Sequence, residues 1–326
     1  PMNRVKTMLS TFALSLLIFS CTGDNETKTT TSTTPTSLSR TTTPKRFLFD
    51  ATKAETAGNA DWVICENTSG TPIRFPSPNQ TLVTATTPET YWRGGLSSWG
   101  IALAKEGHYV ETLAPGASIT YGNTSNAQDL SNFDVYIVDE PNILFTAAQK
   151  TAILNFVKNG GGLFMIADHT VSDRNNDGSD SPKIWNDLMT NNTVQTNPFG
   201  LTVELTNISQ TTTNVLVDPT NTILNGSQGA VSKLIFHNGA TIKLTPTANA
   251  TAKGLIWQTG VAKTSKTTVM CASSTFFNGR VVLLTDSSPA DDGTGNPSDT
   301  LYFGWTDAAG NHTRLHLNAS YWLAKL

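Results

Sequence analysis

The stretch "NGGGLFMIADHTVSDRNNDGSDSPKIW", residues 159–185, decides how this chain is read. Its segment "GLFMIAD" (162–168) is apolar without alternation, follows a run of glycines and stops in Asp168-His169. A short continuous apolar run bounded by turn residues fits a strand buried on both faces, as in a parallel sheet covered by helices. Three further runs share the same grammar: "RFLFD" (46–50), "DVYIVDE" (134–140) and "RVVLLTD" (280–286). Each reaches an aspartate.

Helical segments lie between the runs. "YWRGGLSSWGIALAKEG" (91–107) is amphipathic and stops at Gly107, while "TAAQKTAILNFVKNGG" offers Thr146 as N-cap and Gly160 as a stop. The final "NHTRLHLNASYWLAKL" aligns Leu315, Ala319, Trp322 and Leu323 on one stripe. Strands alternating with helices predict a doubly wound, mostly parallel α/β sheet. Residues 201–277 break the pattern with short strands separated by Asn/Gly/Pro turns, so they read as an antiparallel β-rich insertion or sheet extension within one domain, 46–326.

Upstream of that domain, residues 1–20 carry Arg4 and Lys6 and then "MLSTFALSLLIFS", a basic region followed by an apolar one, as in a signal peptide. "LIFSC" resembles a bacterial lipobox, which implies cleavage before Cys21 and acylation of its thiol; a plain secretory signal is the alternative. Both predict an extracytoplasmic protein, the first with a lipid anchor on Cys21 that tethers it to the bacterial cell envelope. Residues 21–45 are a Thr/Ser/Pro tract with little to bury, expected to be a disordered tether.

Charged residues make up only 14% of the chain. Without Arg4 and Lys6 the basic residues fall from 22 to 20 against 25 acidic ones, a net charge near −5. No basic stripe or nucleic-acid-binding motif is present, which argues against nucleic acid as a partner. Cys65 and Cys271 both sit in apolar, strand-like contexts, and their pairing is left open.

Parallel strands bring their carboxyl ends to one edge, and open α/β folds bind ligands in the crevice outside it. Asp50, Asp139, Asp168 and Asp286 are therefore expected to converge. Carboxylates crowded in this way need protons, hydrogen bonds or a cation, and a hard divalent metal prefers oxygen ligands. The bland alternative is that each aspartate caps its own loop through an Asx turn. His169 adds a base or ligand, and His312, at the start of the last helix, an acid or oxyanion stabiliser. His108, His237 and His316 read as packing residues. In "DRNNDGSDS", Asp173, Asn175 and Asp177 match the start of a calcium loop, but the position where an EF-hand has glutamate is Ile184, which leaves a non-EF Ca²⁺ loop or an Asx-rich turn. Asp291 and Asp292 either complete a metal shell or solvate their loop.

The order of these parts resembles the class I glutamine amidotransferase-like superfamily, a flavodoxin-like α/β fold. The resemblance is carried by "GGGLFMIAD", where that family has a glycine-led strand before its nucleophile elbow, and by the terminal strand and helix "GRVVLLTD…NHTRLHLNASYWLA". The elbow here holds Asp168-His169 in place of the family's cysteine, and no His-x-Glu follows, so thiol-based glutamine hydrolysis is excluded. "TAGNADW" (56–62), "IWNDLM" and "DDGTGN" also resemble a secreted bacterial branch labelled only as hydrolases.

Two functions stay open. One is a metal-dependent hydrolase of a small molecule or glycan, with Asp168, His169, Asp286 and His312 as its centre and Asp50, Asp139, Asp173, Asn175, Asp177, Asp291 and Asp292 as possible holders of a divalent cation, Ca²⁺ by oxygen preference. The other is a non-catalytic, calcium-stabilised glycan-binding module in which Trp92, Trp185 and Trp305 stack on sugar rings.

Overall fold

The computed structural model describes residues 43–75, 78–295 and 302–326. The leader, most of the tether and Cys21 lie outside these residues. Five strands form the parallel part of one nine-stranded sheet: β1 (Arg46–Asp50), β2 (Tyr109–Leu113), β3 (Val135–Asp139), β4 (Gly162–Ile166) and β11 (Gly279–Leu284). Their spatial order is β2-β1-β3-β4-β11, with every neighbouring pair parallel. This is the 2-1-3-4-5 order of flavodoxin-like doubly wound sheets, whose direction of winding reverses between the first and third strands.

The apolar runs do not alternate because both faces are covered. Phe47, Phe49, Val135, Ile137, Phe164, Ile166, Val282 and Leu284 face α1 (Ser97–Lys105) and α4 (His312–Leu323). Leu48, Tyr136, Val138, Leu163, Met165, Val281 and Leu283 face α2 (Ala147–Lys158) and α3 (Ser181–Thr190). Burying one such side chain contributes about 1.5–3 kcal/mol, so two complete faces fix the register firmly.

Beyond β11 the sheet continues in antiparallel fashion. The segment 201–276 supplies β5 (Leu201–Thr212), β8 (Leu234–Leu244), β9 (Lys253–Trp257) and β10 (Val269–Phe276), paired as β11-β10-β8-β5 with β9 also on β10. It is thus an extension of the main sheet. A separate small hairpin joins β6 (Asn225–Gly226) to β7 (Gly229–Ala230).

Thr146 caps α2 as expected: its hydroxyl accepts the Gln149 N–H, and the Gln149 side chain accepts the Thr146 N–H at 2.9 Å. The helix expected from residue 91 begins only at Ser97. Gly94 has φ 125°, and a Cβ there would lie 2.4 Å from the Val63 carbonyl oxygen, so the chain turns at this point to pass close to 61–63. Helix α3 is an element not expected from the sequence; Asp180 caps it by accepting the Lys183 N–H at 3.0 Å. Cys271 is a buried free thiol, so it does not pair with Cys65. Among the described residues no helix is long and apolar enough to cross a membrane.

Candidate functional site

Because β1, β3, β4 and β11 are parallel neighbours, Asp50, Asp139, Asp168 and Asp286 all stand at the carboxyl edge of the sheet, and all four are buried. They separate into two groups. Asp50 accepts the Thr52 hydroxyl at 2.9 Å and pairs with the carboxyl of Glu55, with the Tyr136 hydroxyl alongside. Burial and then the Asp50 charge raise Glu55 well above the carboxylate range, so Glu55 is the proton donor of this pair.

The second group gathers around Glu140, which follows β3 in a left-handed conformation (φ 44°) and is fully buried. Its carboxylate accepts the Trp62 indole N–H at 2.6 Å, the Arg174 Nε at 2.6 Å and the Ser287 hydroxyl at 2.9 Å. Arg174 reaches on to Asp168 Oδ2 at 3.0 Å and also donates to Asn59. Its own backbone N–H is held by Asn142 Oδ1 at 2.9 Å, and Asn142 donates to the Glu140 carbonyl. Burial works against the guanidinium charge, but Glu140 and Asp168 more than offset it and hold the Arg174 pKa above its usual value.

One arginine cannot neutralise all the carboxyls here. Burial first, then Glu140 and Asp286, push Asp168 well above the carboxylate range despite Arg174. Asp139 is raised in the same way, by burial and then by Glu140, Asp286 and Asp291. Both Asp139 oxygens and Asp168 Oδ1 are buried with no hydrogen-bond partner. Asp286 is held differently: it accepts the His237 N–H at 2.6 Å and the Ser288 N–H at 2.9 Å, and burial still lifts it to about 8.

His169 lies beside this group, half-buried, with Nε2 3.7 Å from Asp168 Oδ2. Its Nδ1 is 2.6 Å from the Thr170 carbonyl oxygen, a contact that requires a proton on Nδ1 and leaves the Nε2 lone pair facing the aspartate while the ring is neutral. The next turn is strained. Val171 is β-branched yet has φ 64°, and its N–H is held by Asp180 Oδ2 at 2.7 Å.

Several expected members take other positions. His312 does not reach the carboxyl group: its Nδ1 contacts the Gly304 carbonyl at 2.7 Å and its Nε2 accepts the Ile235 N–H at 3.0 Å, so one ring nitrogen holds the 304–306 turn and the other holds β8. Asp292 accepts the Ser98 N–H in the first turn of α1 at 2.7 Å, and burial raises it to about 6. Asp291 accepts the Gly293 and Tyr302 N–H groups. In the 173–177 loop, Asp173 accepts the N–H groups of Asp177 (3.0 Å) and Gly178 (2.7 Å), and Asp177 accepts from Ser179 and from the Asn175 amide, a hydrogen-bond set closed on itself. Among the described residues no three His, Cys, Asp or Glu side chains stand together as a metal-binding group.

His237, read as a packing residue, donates its backbone N–H to Asp286 and stacks its ring on Tyr302 with centroids 5.0 Å apart. The tryptophans invoked for sugar stacking are core residues. Trp92 lies beneath the Arg74 guanidinium, Trp185 donates to the Ile166 carbonyl, and Trp305 stacks on Trp99. Trp185 lies within α3 and not in a loop, and all three indoles are buried, so none offers an open face to a sugar.

No protein-family model and no curated protein matches the chain. Among solved structures it is similar to the N-terminal domain of mmIFT52, at 12% identity and a TM-score of 0.48 over 86% of this chain and 98% of that one. It is also similar to a cytoplasmic protein from Salmonella typhimurium (13%, 0.43, 86% and 98%) and to a ThuA-like protein from Bacteroides uniformis (12%, 0.40, 86% and 91%). The likeness is one of fold. At these values it carries no argument about activity, and the α/β assignment stands on strand order and direction.

Proposed function

We propose that the chain is a hydrolase whose acid–base centre is Asp168 with His169, at the carboxyl edge of the parallel sheet. The observation that carries this reading is the pair of buried aspartates with unpartnered oxygens, Asp139 and Asp168, beside a half-buried imidazole. Unpartnered buried carboxyl oxygens are costly and need a proton, a ligand or a cation. In our reading they hold protons. His169 Nε2 takes a proton from water as its oxygen bonds to the electrophilic carbon, and Asp168 gives its proton to the departing group as that bond breaks. Arg174 and Glu140 are positioning residues, since they fix Asp168 and touch no reacting atom.

The unpartnered oxygens of Asp139 and Asp168 offer the alternative of a bound divalent cation, which a chelator distinguishes. We also read the chain as a divergent relative of the class I glutamine amidotransferase-like superfamily that lacks the cysteine nucleophile, supported by the 2-1-3-4-5 strand order. "LIFSC" supports a setting outside the cytoplasm with a lipid anchor on Cys21.

The test is hydrolysis of chromogenic esters, amides and glycosides by the full chain, with and without EDTA. Asp168→Asn should lower the rate on the best substrate at least ~100-fold, since acid–base groups supply about that much, with no loss of melting temperature. EDTA should leave the rate unchanged. An EDTA-sensitive rate would replace protons by a cation, and an Asp168→Asn variant as active as wild type would end the proposal.

A further inference from the structure

Six of the seven tryptophans are buried in the core; Trp322, near the end of α4, is the one that is half-exposed. It stands at the opposite end of the sheet from the carboxyl cluster, because α4 runs back toward the edge where β2 and β11 begin. Two cavities meet at its ring. One, of about 380 Å³, is lined by Glu106, His108, Gln228 and Tyr321 as well as Trp322. The other, of about 290 Å³, is lined by Asp218, Lys253, Thr251 and Ser274 as well as Trp322. Each approaches the lower end of the range for small-ligand sites, and together they make an elongated groove.

The chemistry of this groove is mixed in a specific way. Tyr321 presents a ring packed edge-on to His108 and a buried hydroxyl with no hydrogen-bond partner. An unsatisfied buried hydroxyl is costly unless a ligand completes it. The second cavity carries the Lys253–Asp218 pair at 2.8 Å and the Thr251 and Ser274 hydroxyls 3.2 Å apart. The walls therefore offer donors and acceptors beside an aromatic ring, with the Glu106 carboxylate in the first cavity and the paired Lys253 and Asp218 in the second. An anion would meet the Glu106 carboxylate with no free cation to balance it, and a purely apolar ligand would bury these polar groups unpaired. A neutral polyhydroxylated ring suits both demands: its C–H face lies on the indole face away from the Arg280 guanidinium, which sits 5.0 Å from the ring centroid, and its hydroxyls both donate and accept.

We propose that the groove across Trp322 is a binding site for a neutral saccharide, separate from the carboxyl-edge centre and independent of the hydrolase reading. Affinity electrophoresis of the full chain in native gels containing xylan, glucomannan, laminarin or pullulan tests it. At least one of these polysaccharides should retard the wild type. Trp322→Ala should abolish the retardation, Trp322→Tyr should keep part of it, and Asp168→Asn should leave it unchanged. Tyr321→Phe removes only the unpartnered hydroxyl and decides the matter should Trp322→Ala fold poorly; it should weaken binding about three- to tenfold. No retardation by any of the four, or equal retardation of wild type and Tyr321→Phe, would overturn the proposal.

Discussion

Two acidic regions lie within a dozen residues of each other and behave in opposite ways. Asp168, with Asp139 and Asp286, is buried at the end of parallel strands, and burial raises all three carboxyls. Asp173 and Asp177 sit in an outer loop, and their oxygens are taken up by neighbouring N–H groups. The sequence makes the loop look richer, with its D-x-N-x-D-G spacing. The structure makes the strand ends chemically distinctive, because burial there leaves Asp139 and Asp168 oxygens that no protein group satisfies. Density of carboxylate is therefore a poor guide to a site, and carboxylate at the end of a two-face-buried strand is a better one.

The contrast is sharpened most by removing the one cation in the buried group. Arg174→Ala leaves Glu140 and Asp168 without their partner and should cost about 3–5 kcal/mol in urea unfolding. A loss under about 1 kcal/mol would mean that water reaches these carboxyls as it reaches the loop.

The pH dependence of stability is the next largest effect. Unfolded aspartates release protons near 3.8, whereas folded Asp286 holds its proton to about 8. Between those values the folded state binds more protons than the unfolded one, so rising pH favours unfolding. Stability should be fullest below about pH 4 as far as these groups decide it, and should fall by several kcal/mol toward pH 8. Asp286→Asn should flatten the upper part of that fall. A stability that rises over the window would show that the buried carboxyls are ionised and paired.

The smallest effect belongs to the loop. Asp173→Ala removes two turn hydrogen bonds at a partly exposed site and should cost about 1 kcal/mol. Melting curves of the wild type with excess calcium and with EDTA should coincide within about 2 °C, which corresponds to about 1 kcal/mol for a domain of this size. A calcium-dependent rise of many degrees would restore a cation to Asp173, Asn175 and Asp177.

Much of the fold was legible because two-face burial leaves a local mark. "RFLFD", "DVYIVDE", "GLFMIAD" and "RVVLLTD" each became a parallel strand, and their aspartates reached one edge. The capping box at Thr146 is likewise local chemistry. What escaped depends on register between distant segments. Glu140 and Arg174 are 34 residues apart and meet only once β3 and the loop after β4 are in place. His237 reaches Asp286 through the antiparallel extension, across 49 residues. The tryptophans misled because an indole in a Gly/Asn-rich segment looks exposed until the loop packs down. Glu140 did leave a signal: two successive acids, Asp139-Glu140, closing an apolar strand, with an arginine in the next acidic loop. One of such a pair must face inward.

The measurement that bears most directly on the central claim is difference infrared spectroscopy of the carboxyl stretch in the full chain at neutral pH, with Asp139→Asn, Asp168→Asn and Asp173→Asn beside wild type. The account predicts protonated carboxyl bands in wild type that diminish in the first two variants and are untouched in the third. Fully ionised carboxylates at neutral pH, with no protonated band to lose, would contradict it.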